Sequence, residues 1–182
     1  MNYQSYSRSR IAPLGMNLRE GILTLNQSNE VCRNGQLRVI LVEDNDNVRI
    51  TLKLLLEHRG YEVLAFSKPT ICPLQIQPAC RCSENQSCTD VILTDFDMPE
   101  MDGIRFIENL RKKNCKCSHV AIMSGFLTRE AIKQAEKLGC KIFEKPFEKE
   151  ILFKWLDNIK RSIKTSRVLC NWFQDTNLSI SD

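Results

Sequence analysis

Short apolar runs alternate with amphipathic stretches along the chain from Leu37 onward. Each run is too short for a helix, and the runs are rich in β-branched or other apolar residues, which is typical of buried strands. The predicted strands are residues 37–42, 61–66, 91–95, 120–123 and 140–143.

Apolar residues at helical spacing separate and follow these strands. The first helix is predicted to stop at Gly60, and the fourth is predicted to be capped by Thr128 and to stop at Gly139 after Leu138. The apolar faces of the first, third and last helices comprise Val48, Leu52, Leu55 and Leu56, then Ile104, Ile107 and Leu110, then Leu152, Trp155, Leu156, Ile159 and Ile163.

The segment in which a second helix is expected has an irregular sequence pattern. Residues 67–89 contain Pro69, Pro73 and Pro78 together with four cysteines, and prolines at this density oppose a long helix. We therefore expect a short or distorted helix there. The five strand–helix alternations predict right-handed βαβ units, and hence an α/β domain with a parallel sheet covered by helices on both faces.

The pattern also sets the predicted domain boundaries. Residues 1–36 are polar and without a sustained period, so we expect a loosely ordered extension, within which Met16 is a candidate translation start. The domain is predicted to span residues 37–163 and a short polar tail residues 164–182. No effector domain, and so no DNA-binding domain, is expected after it.

Composition narrows the function classes. The 182 residues are 42% hydrophobic and 26% charged, as in ordinary soluble domains, and the net charge of +4 does not imply a nucleic-acid role. No apolar run approaches the roughly 20 residues of a membrane span, and the first residues lack the apolar core of a signal peptide. We therefore expect a cytoplasmic protein without a membrane segment, in which the nine cysteines are not a disulfide framework.

Polar side chains follow four of the five predicted strands. Glu43 and Asp44 end the first, Asp95 the third, Ser124 the fourth and Lys145 the fifth. Each has an ordinary explanation alone, as a helix cap, a strand end or a solvated charge. Because the carboxyl ends of parallel strands lie at one edge of the sheet, where open α/β sheets bind ligands, the set together indicates a functional site.

The residue types indicate the chemistry of this edge. Three carboxylates without a neighbouring His or Cys form a hard oxygen site suited to Mg²⁺, which keeps several waters and bridges to phosphate. A carboxylate becomes an adequate phosphoryl acceptor when the developing charge is neutralised, and Mg²⁺ with the Lys145 ammonium would supply that neutralisation.

These residues together resemble the receiver domain of the response regulators of bacterial two-component systems. The matching segments are Val42–Asn45, Asp95–Pro99, Met101–Gly103, Ser124 and Lys145–Phe147, within a resemblance that covers about residues 37 to 163. The resemblance implies a flavodoxin-like (βα)5 fold with strand order 2-1-3-4-5.

The resemblance also implies a role for each site residue. Asp95 is the expected phosphoacceptor, and Glu43, Asp44 and Asp95 are the expected Mg²⁺ ligands, together with the backbone carbonyl of Asp97. The hydroxyl of Ser124 is expected to hydrogen-bond the phosphoryl group, and Lys145 to pair with it. By the same resemblance, the side chains of Asp97 and Phe126 would flank the acyl phosphate.

The chain departs from the receiver pattern at two places. Receivers usually carry an aromatic residue three positions before the lysine, and Ile142 stands at that position here. Phe143 follows it, and strand alternation predicts that Phe143 faces the opposite side of the sheet. The second departure is the cysteine- and proline-rich segment in the place of the second helix.

Our functional hypothesis is a response regulator that accepts a phosphoryl group on Asp95 from a histidine kinase or a phosphotransfer protein. Its output would pass through protein contacts of the last strand and the two helices that flank it, since phosphorylation acts by shifting a conformational equilibrium. One alternative is a thiol- or metal-based redox sensor built on a receiver fold. Another is a scaffold with vestigial phosphorylation, which the complete set of acidic residues, Ser124 and Lys145 disfavours.

The cysteines form the second candidate site. In the predicted topology the segments before Asp90 and before Val120 both lie at the amino ends of adjacent strands, opposite the phosphorylation site. This placement brings two C-x-C segments together and predicts a thiol cluster of Cys80, Cys82, Cys88, Cys115 and Cys117. Such a cluster would bind Zn²⁺ or another thiophilic metal, form a reversible disulfide, or consist of inert buried thiols.

Overall fold

The computed structural model describes residues 36–84, 86–164 and 166–170. Within them, seven strands and five α-helices follow one another along the chain. The strands are β1 (Arg38–Val42), β2 (Glu62–Phe66), β3 (Gln86–Ser87), β4 (Val91–Asp95), β5 (His119–Ser124), β6 (Cys140–Glu144) and β7 (Val168–Leu169). The helices are α1 (Asp46–His58), α2 (Pro73–Ile76), α3 (Gly103–Lys112), α4 (Arg129–Lys137) and α5 (Lys149–Ser162).

Five of the strands form one parallel sheet in the order β2-β1-β4-β5-β6. The short β3 lies outside this sheet, so the order confirms the predicted 2-1-3-4-5 once the five main strands are numbered by themselves. Every residue of β1 and β4 is buried, as expected for central strands covered by helices on both faces.

Successive residues of the central strands face opposite cores. Leu41 and Leu93 pack with α1 and α5 through residues such as Leu156. Ile92, with its neighbour Ile40, packs on the other face with α3 and the cysteine-rich segment. The period of two in the strands thus builds a three-layer domain, with the predicted functional edge at the carboxyl ends of the strands.

Polar residues cap three of the helices, and glycines follow two of them. The side chains of Asn45, Asp102 and Thr128 accept hydrogen bonds from backbone N–H groups in the first turns of α1, α3 and α4. Gly60 and Gly139 adopt positive φ angles of 83° and 72° just beyond α1 and α4. These glycines are the predicted helix stops, and the left-handed backbone explains why glycine serves there.

The second helical region is irregular, as predicted. A 3-10 turn at Pro69–Ile71 is followed by the short helix α2, and each begins with a proline at its first position. Proline is tolerated there because that N–H has no partner within the helix, whereas a continuous helix through all three prolines would lose internal hydrogen bonds.

A second, two-stranded parallel sheet joins β3 to β7 and was not predicted. Arg167 anchors β7, since its Nε lies 2.6 Å from the carboxylate of buried Asp90. Residues 1–35 and 171–182, which hold most of the predicted extension and tail, lie outside the described residues. None of the helices in the described part of the chain is long and apolar enough to cross a membrane.

Candidate functional site

The strand register aligns the predicted site residues along one edge of the sheet. Val42 pairs with Thr94, so Glu43 follows directly beside Asp95. On the other side, Asp95 pairs with Met123, next to Ser124. Ser124 pairs in turn with Glu144, the residue before Lys145. The sequence prediction that four strand ends converge therefore matches the register of the sheet.

The Lys145 ammonium lies between two buried carboxylates. Its Nζ is 2.7 Å from Oε2 of Glu43 and 2.6 Å from Oδ1 of Asp95, and it donates a hydrogen bond to each. Glu43 and Asp95 are only 1% and 5% exposed, which makes a charged partner necessary. The backbone N–H of Lys145 donates to the carbonyl of Ser124 at 2.7 Å and holds the lysine at this edge.

Burial changes the acid–base properties of the three groups. Desolvation raises the pKa values of both Glu43 and Asp95, and the hydrogen bonds from Lys145 oppose the change. For Lys145, burial lowers the pKa, but the hydrogen bonds to Asp95 and Glu43 and the attraction of their charges together outweigh burial, and the pKa is raised. The lysine therefore stays a charged ammonium, and additional positive charge would stabilise both carboxylates in their ionised form.

The oxygen atoms of three carboxylates could hold a metal ion together. Glu43, Asp44 and Asp95 each offer one oxygen, and these oxygens lie within 4.8 Å of one another. The side chain of Asn45 caps α1, so helix capping does not account for Glu43 and Asp44. A cluster of three carboxylates facing one ammonium fits a small divalent cation with oxygen ligands, such as Mg²⁺.

The start of α3 presses against the end of β4. The N–H of Gly103 donates to the carbonyl of Phe96 at 2.9 Å. A Cβ atom at residue 103 would lie 2.3 Å from the backbone oxygen of Asp95, well inside contact distance. Sequence reasoning placed Gly103 in the matching motif without assigning it a role. The structure shows that its missing side chain is what allows the helix to approach the site.

The loop after β5 holds the Ser124 hydroxyl. Its Oγ donates to the carbonyl of Phe126 at 2.7 Å and accepts from the N–H of Phe126 at 3.1 Å. The Phe126 side chain itself is 75% exposed. Asp97 is also exposed, in the loop after β4, and its predicted role through the backbone carbonyl stays a prediction.

The residues before the lysine face opposite sides, as predicted. Phe143 is buried, with ring centroids 5.4 Å from Phe147 and 5.6 Å from Trp155 of α5. Ile142 packs on the other side of the sheet, in the cluster formed with α4. The position facing α4 therefore carries an aliphatic side chain here, and Phe143 is committed to the core beneath α5.

The predicted thiol cluster is only partly reproduced. Cys80, Cys82 and Cys88 offer sulfur atoms within 4.8 Å of one another, and this group does not extend to Cys115 or Cys117 among the described residues. The Cys117 sulfur instead lies 3.5 Å from the carbonyls of Asp90 and His119.

Cys170 is the thiol that sequence reasoning missed. Its Sγ is 2.9 Å from that of Cys82 and 3.6 Å from that of Cys88. The residue lies directly after β7, in the segment predicted to be a polar tail. A strand of two residues has no recognisable periodicity, so the only available signal was the presence of an additional cysteine in that segment.

The fold and this site define the class of protein. The sequence model of the response regulator receiver domain matches residues 39–157. The chain therefore belongs to the response regulator receiver family, whose members are phosphoacceptor domains that typically bind Mg²⁺ at an acidic pocket and interact with histidine kinases or phosphotransfer proteins.

Curated relatives are longer proteins. The chain is 28% identical over 130 residues to the transcriptional regulatory protein FlgR of Helicobacter pylori, which covers 70% of this chain and 30% of the relative. It is 31% identical over 114 residues to the regulatory protein AtoC of Escherichia coli, which covers 61% of this chain and 22% of the relative. The chain thus spans less than a third of the length of these two relatives.

Solved structures of receiver domains share the fold. The chemotaxis protein CheY4 of Vibrio cholerae superposes with a TM-score of 0.57 at 25% identity, over 68% of this chain and 98% of that one. The receiver domain of the Francisella response regulator 1452 superposes with a TM-score of 0.59 at 23% identity, over 71% of this chain and all of that one (100%). Both matches support the receiver fold.

Proposed function

We propose that this chain accepts a phosphoryl group on Asp95 from the phosphohistidine of a histidine kinase or phosphotransfer protein and signals through protein–protein contacts. The observation that carries the proposal is the position of Lys145, whose ammonium contacts both Glu43 and Asp95 at the carboxyl end of the sheet. A buried carboxylate with a fixed ammonium beside it is the arrangement that a phosphoryl acceptor requires.

The bonds that form and break in the transfer involve only Asp95 and the phosphoryl donor. A carboxylate oxygen of Asp95 attacks the phosphorus atom, the bond from phosphorus to the donor nitrogen breaks, and an acyl phosphate forms on Asp95. The electron pair of the broken bond stays with the donor imidazole. Lys145, already within hydrogen-bond distance of Asp95, then pairs with a phosphoryl oxygen.

The acidic residues complete the site. Glu43, Asp44 and Asp95 would hold Mg²⁺ with the backbone carbonyl of Asp97. When bound there, the ion supplies positive charge to the phosphoryl oxygens during transfer. The negative charges of Glu43 and Asp95 repel each other, and Lys145 offsets this repulsion only in part. A bound cation would reduce it further.

Reorientation of Ser124 would carry the signal away from the site. Its hydroxyl now bonds within the loop to Phe126, and a phosphoryl group on Asp95 offers it a stronger, charged acceptor. The loop leads into α4, so the surface of α4, β6 and α5 is the proposed output surface. Ile142, rather than an aromatic residue, lies in the core beneath α4 and would adjust to this movement. The cytoplasmic location stays a prediction.

The test of this proposal is phosphorylation by a small donor. We expect the full chain to gain one acid-labile phosphoryl group from acetyl phosphate in the presence of Mg²⁺, and to gain none when EDTA removes the cation. Intact-mass spectrometry measures the product. Equal labelling with and without the cation, or no labelling in its presence, would contradict the proposal.

The exposed ring of Phe126 is expected to slow hydrolysis of the acyl phosphate. By the receiver resemblance it flanks the phosphoryl group, where it would obstruct an incoming water molecule. We expect Phe126→Ala to lose the phosphoryl group about fivefold faster, which corresponds to a barrier lower by about 1 kcal/mol. The decay of phosphorylated protein after removal of the donor measures this rate.

A suitable control is Leu54→Ala, because Leu54 is 61% exposed on α1 and follows the site by more than two helical turns. Its decay rate should equal that of the wild type. An unchanged or slower decay in the Phe126 variant would count against the shielding role.

The family match leaves the thiol-based sensor without support, since receivers respond to phosphorylation. The cysteines therefore need a separate explanation.

A further inference from the structure

Four cysteines meet at the pole of the domain opposite Asp95. Cys82 Sγ is 3.0 Å from Cys88 Sγ and 2.9 Å from Cys170 Sγ, and Cys88 and Cys170 are 3.6 Å apart. Cys80 belongs to the same group, with its sulfur within 4.8 Å of those of Cys82 and Cys88. Cys82 and Cys88 are buried, while Cys80 and Cys170 are partly exposed and leave a path to solvent.

The small parallel sheet sets this arrangement. Gln86 pairs with Val168 and Ser87 with Leu169, so the next register pair is Cys88 and Cys170. The N–H of Cys170 donates to the carbonyl of Ser87 at 3.0 Å and extends the ladder to that pair. Adjacent residues of neighbouring strands point to the same side, which places the two sulfur atoms together.

The other two thiols arrive from the segment before β3. The N–H of Cys80 donates to the carbonyl of Lys113 at 2.9 Å, which fastens the start of the C-x-C segment to the end of α3. A turn closed by the hydrogen bond from Gln86 N to Ser83 O at 3.2 Å then returns the chain to β3. Cys82 stands before this turn and Cys88 after it, so both sulfur atoms reach the same point.

Buried Arg38 brings positive charge to this pole. Its guanidinium donates to the carbonyls of Cys88 at 3.2 Å and Cys170 at 3.0 Å, and it pairs with Glu62 at 2.9 Å. The same residue thus joins the backbones of two of the cysteines. Arg38 therefore holds the two cysteine-bearing backbones close together, and Glu62 balances its charge.

A metal site and a disulfide require different arrangements of the sulfur atoms. A disulfide joins two sulfur atoms at about 2.05 Å and leaves the others outside the bond. Four thiolates around Zn²⁺, each about 2.3 Å from the ion, surround one point with separations of about 3.8 Å. Here Cys82 Sγ has two neighbours at almost equal distances, and Cys80 adds a further thiol within 4.8 Å of Cys82 and Cys88, so no one pair stands apart. Small movements of these side chains would let all four sulfur atoms surround one ion.

We propose that Cys80, Cys82, Cys88 and Cys170 bind one tetrahedral thiophilic metal ion, with Zn²⁺ the best match to four sulfur ligands. On binding, the four thiols release their protons to solvent and four metal–sulfur bonds form, with no transfer of electrons. The ion fastens β7 and the proline-rich segment to the amino end of β4, where the usual second helix is reduced to α2. Its role is structural, and it does not depend on phosphorylation of Asp95.

The first test is metal analysis of the full chain purified under reducing conditions without chelator. We expect about one zinc ion per chain, retained after gel filtration. Replacement by Co²⁺ should produce the visible absorption bands of tetrahedral cobalt and an intense sulfur-to-cobalt charge-transfer band. Removal of the metal should lower the melting temperature by on the order of 5–10 °C.

Single substitutions identify the ligands. Cys170→Ser and Cys88→Ser should each lose the stoichiometric metal, whereas Cys117→Ser and Cys140→Ser should retain it. Cys117→Ser distinguishes the four thiols proposed here from the set predicted from the sequence. Cys140→Ser is a control for substitution of a half-buried cysteine that is not one of the four proposed ligands.

The cobalt spectrum of the wild-type protein shows whether the cysteines bind a tetrahedral metal ion, even if a variant fails to fold. Absence of bound metal in the wild type, or octahedral cobalt without sulfur charge transfer, would overturn the proposal. A disulfide between two of the four residues in freshly reduced and re-equilibrated protein would also overturn it, as would metal loss from Cys117→Ser with retention in Cys170→Ser.

Discussion

Asp95→Asn is expected to abolish phosphorylation by acetyl phosphate, whereas Asp97→Asn retains it. The amide oxygen of asparagine carries no negative charge and is too weak a nucleophile to attack phosphorus, although its shape is that of the carboxylate. Asp97 is an acidic neighbour on the same loop, but its side chain is exposed, and only its backbone carbonyl has an expected role. Intact-mass spectrometry of the two variants and the wild type measures the difference.

The Asp95 variant must be shown to fold before its loss of labelling is interpreted. Replacement of Asp95 leaves Lys145 paired with Glu43 alone, so circular dichroism and a urea titration should accompany the mass spectra. Loss of labelling in a folded Asp95→Asn protein supports the assignment. Equal labelling of the wild type and this variant would instead place the acceptor elsewhere.

Gly103→Ala is expected to destabilise the domain, although alanine favours helices over glycine. A new Cβ would lie 2.3 Å from the backbone oxygen of Asp95, and backbone atoms cannot move aside as a flexible side chain would. The start of α3 would have to shift away from β4 and weaken the hydrogen bond from Gly103 N–H to Phe96. We expect the unfolding free energy to fall by about 2–4 kcal/mol, more than the gain of about 1 kcal/mol in helix propensity.

Gly125→Ala is the matched control, because a Cβ there meets nothing within 4 Å. It stands in the loop after β5, at the same edge of the sheet, and should change the unfolding free energy by less than about 0.5 kcal/mol. Urea denaturation of both variants measures the contrast. Equal stability of the Gly103 and Gly125 variants would show that α3 does not depend on the close approach.

We also expect the Gly103 variant to accept a phosphoryl group more slowly. The backbone oxygen that the new Cβ would displace belongs to Asp95, the acceptor residue.

The sheet and its functional edge could be predicted because their determinants are local. Buried strands such as Val91–Asp95 begin with a short apolar run, and the apolar positions of the helices between them recur about every 3.6 residues. Once the sheet is parallel, the residues that end its strands must converge. Glu43, Asp95 and Lys145 could therefore be grouped without knowledge of any distance, and the alternation of Ile142 and Phe143 followed from the strand itself.

The shared ion pair and the Gly103 contact required the tertiary structure. The position of Lys145 between Glu43 and Asp95 depends on the register of β1, β4, β5 and β6 together. The need for glycine at residue 103 depends on how closely α3 packs on β4, and a turn motif alone does not reveal that distance.

The cysteines show most clearly what the sequence determines and what only the tertiary structure decides. The sequence determined that the thiols before β4 lie opposite the acceptor, because a strand has two ends and Asp95 occupies the other. It did not determine their partner. Cys88 and Cys170 are separated by 82 positions, and they meet through a ladder of two residue pairs that has no periodic pattern. Only the folded chain, in which Arg167 before β7 pairs with Asp90, brings Cys170 rather than Cys117 beside Cys82 and Cys88. Tertiary contacts select among partners that the local sequence leaves equivalent.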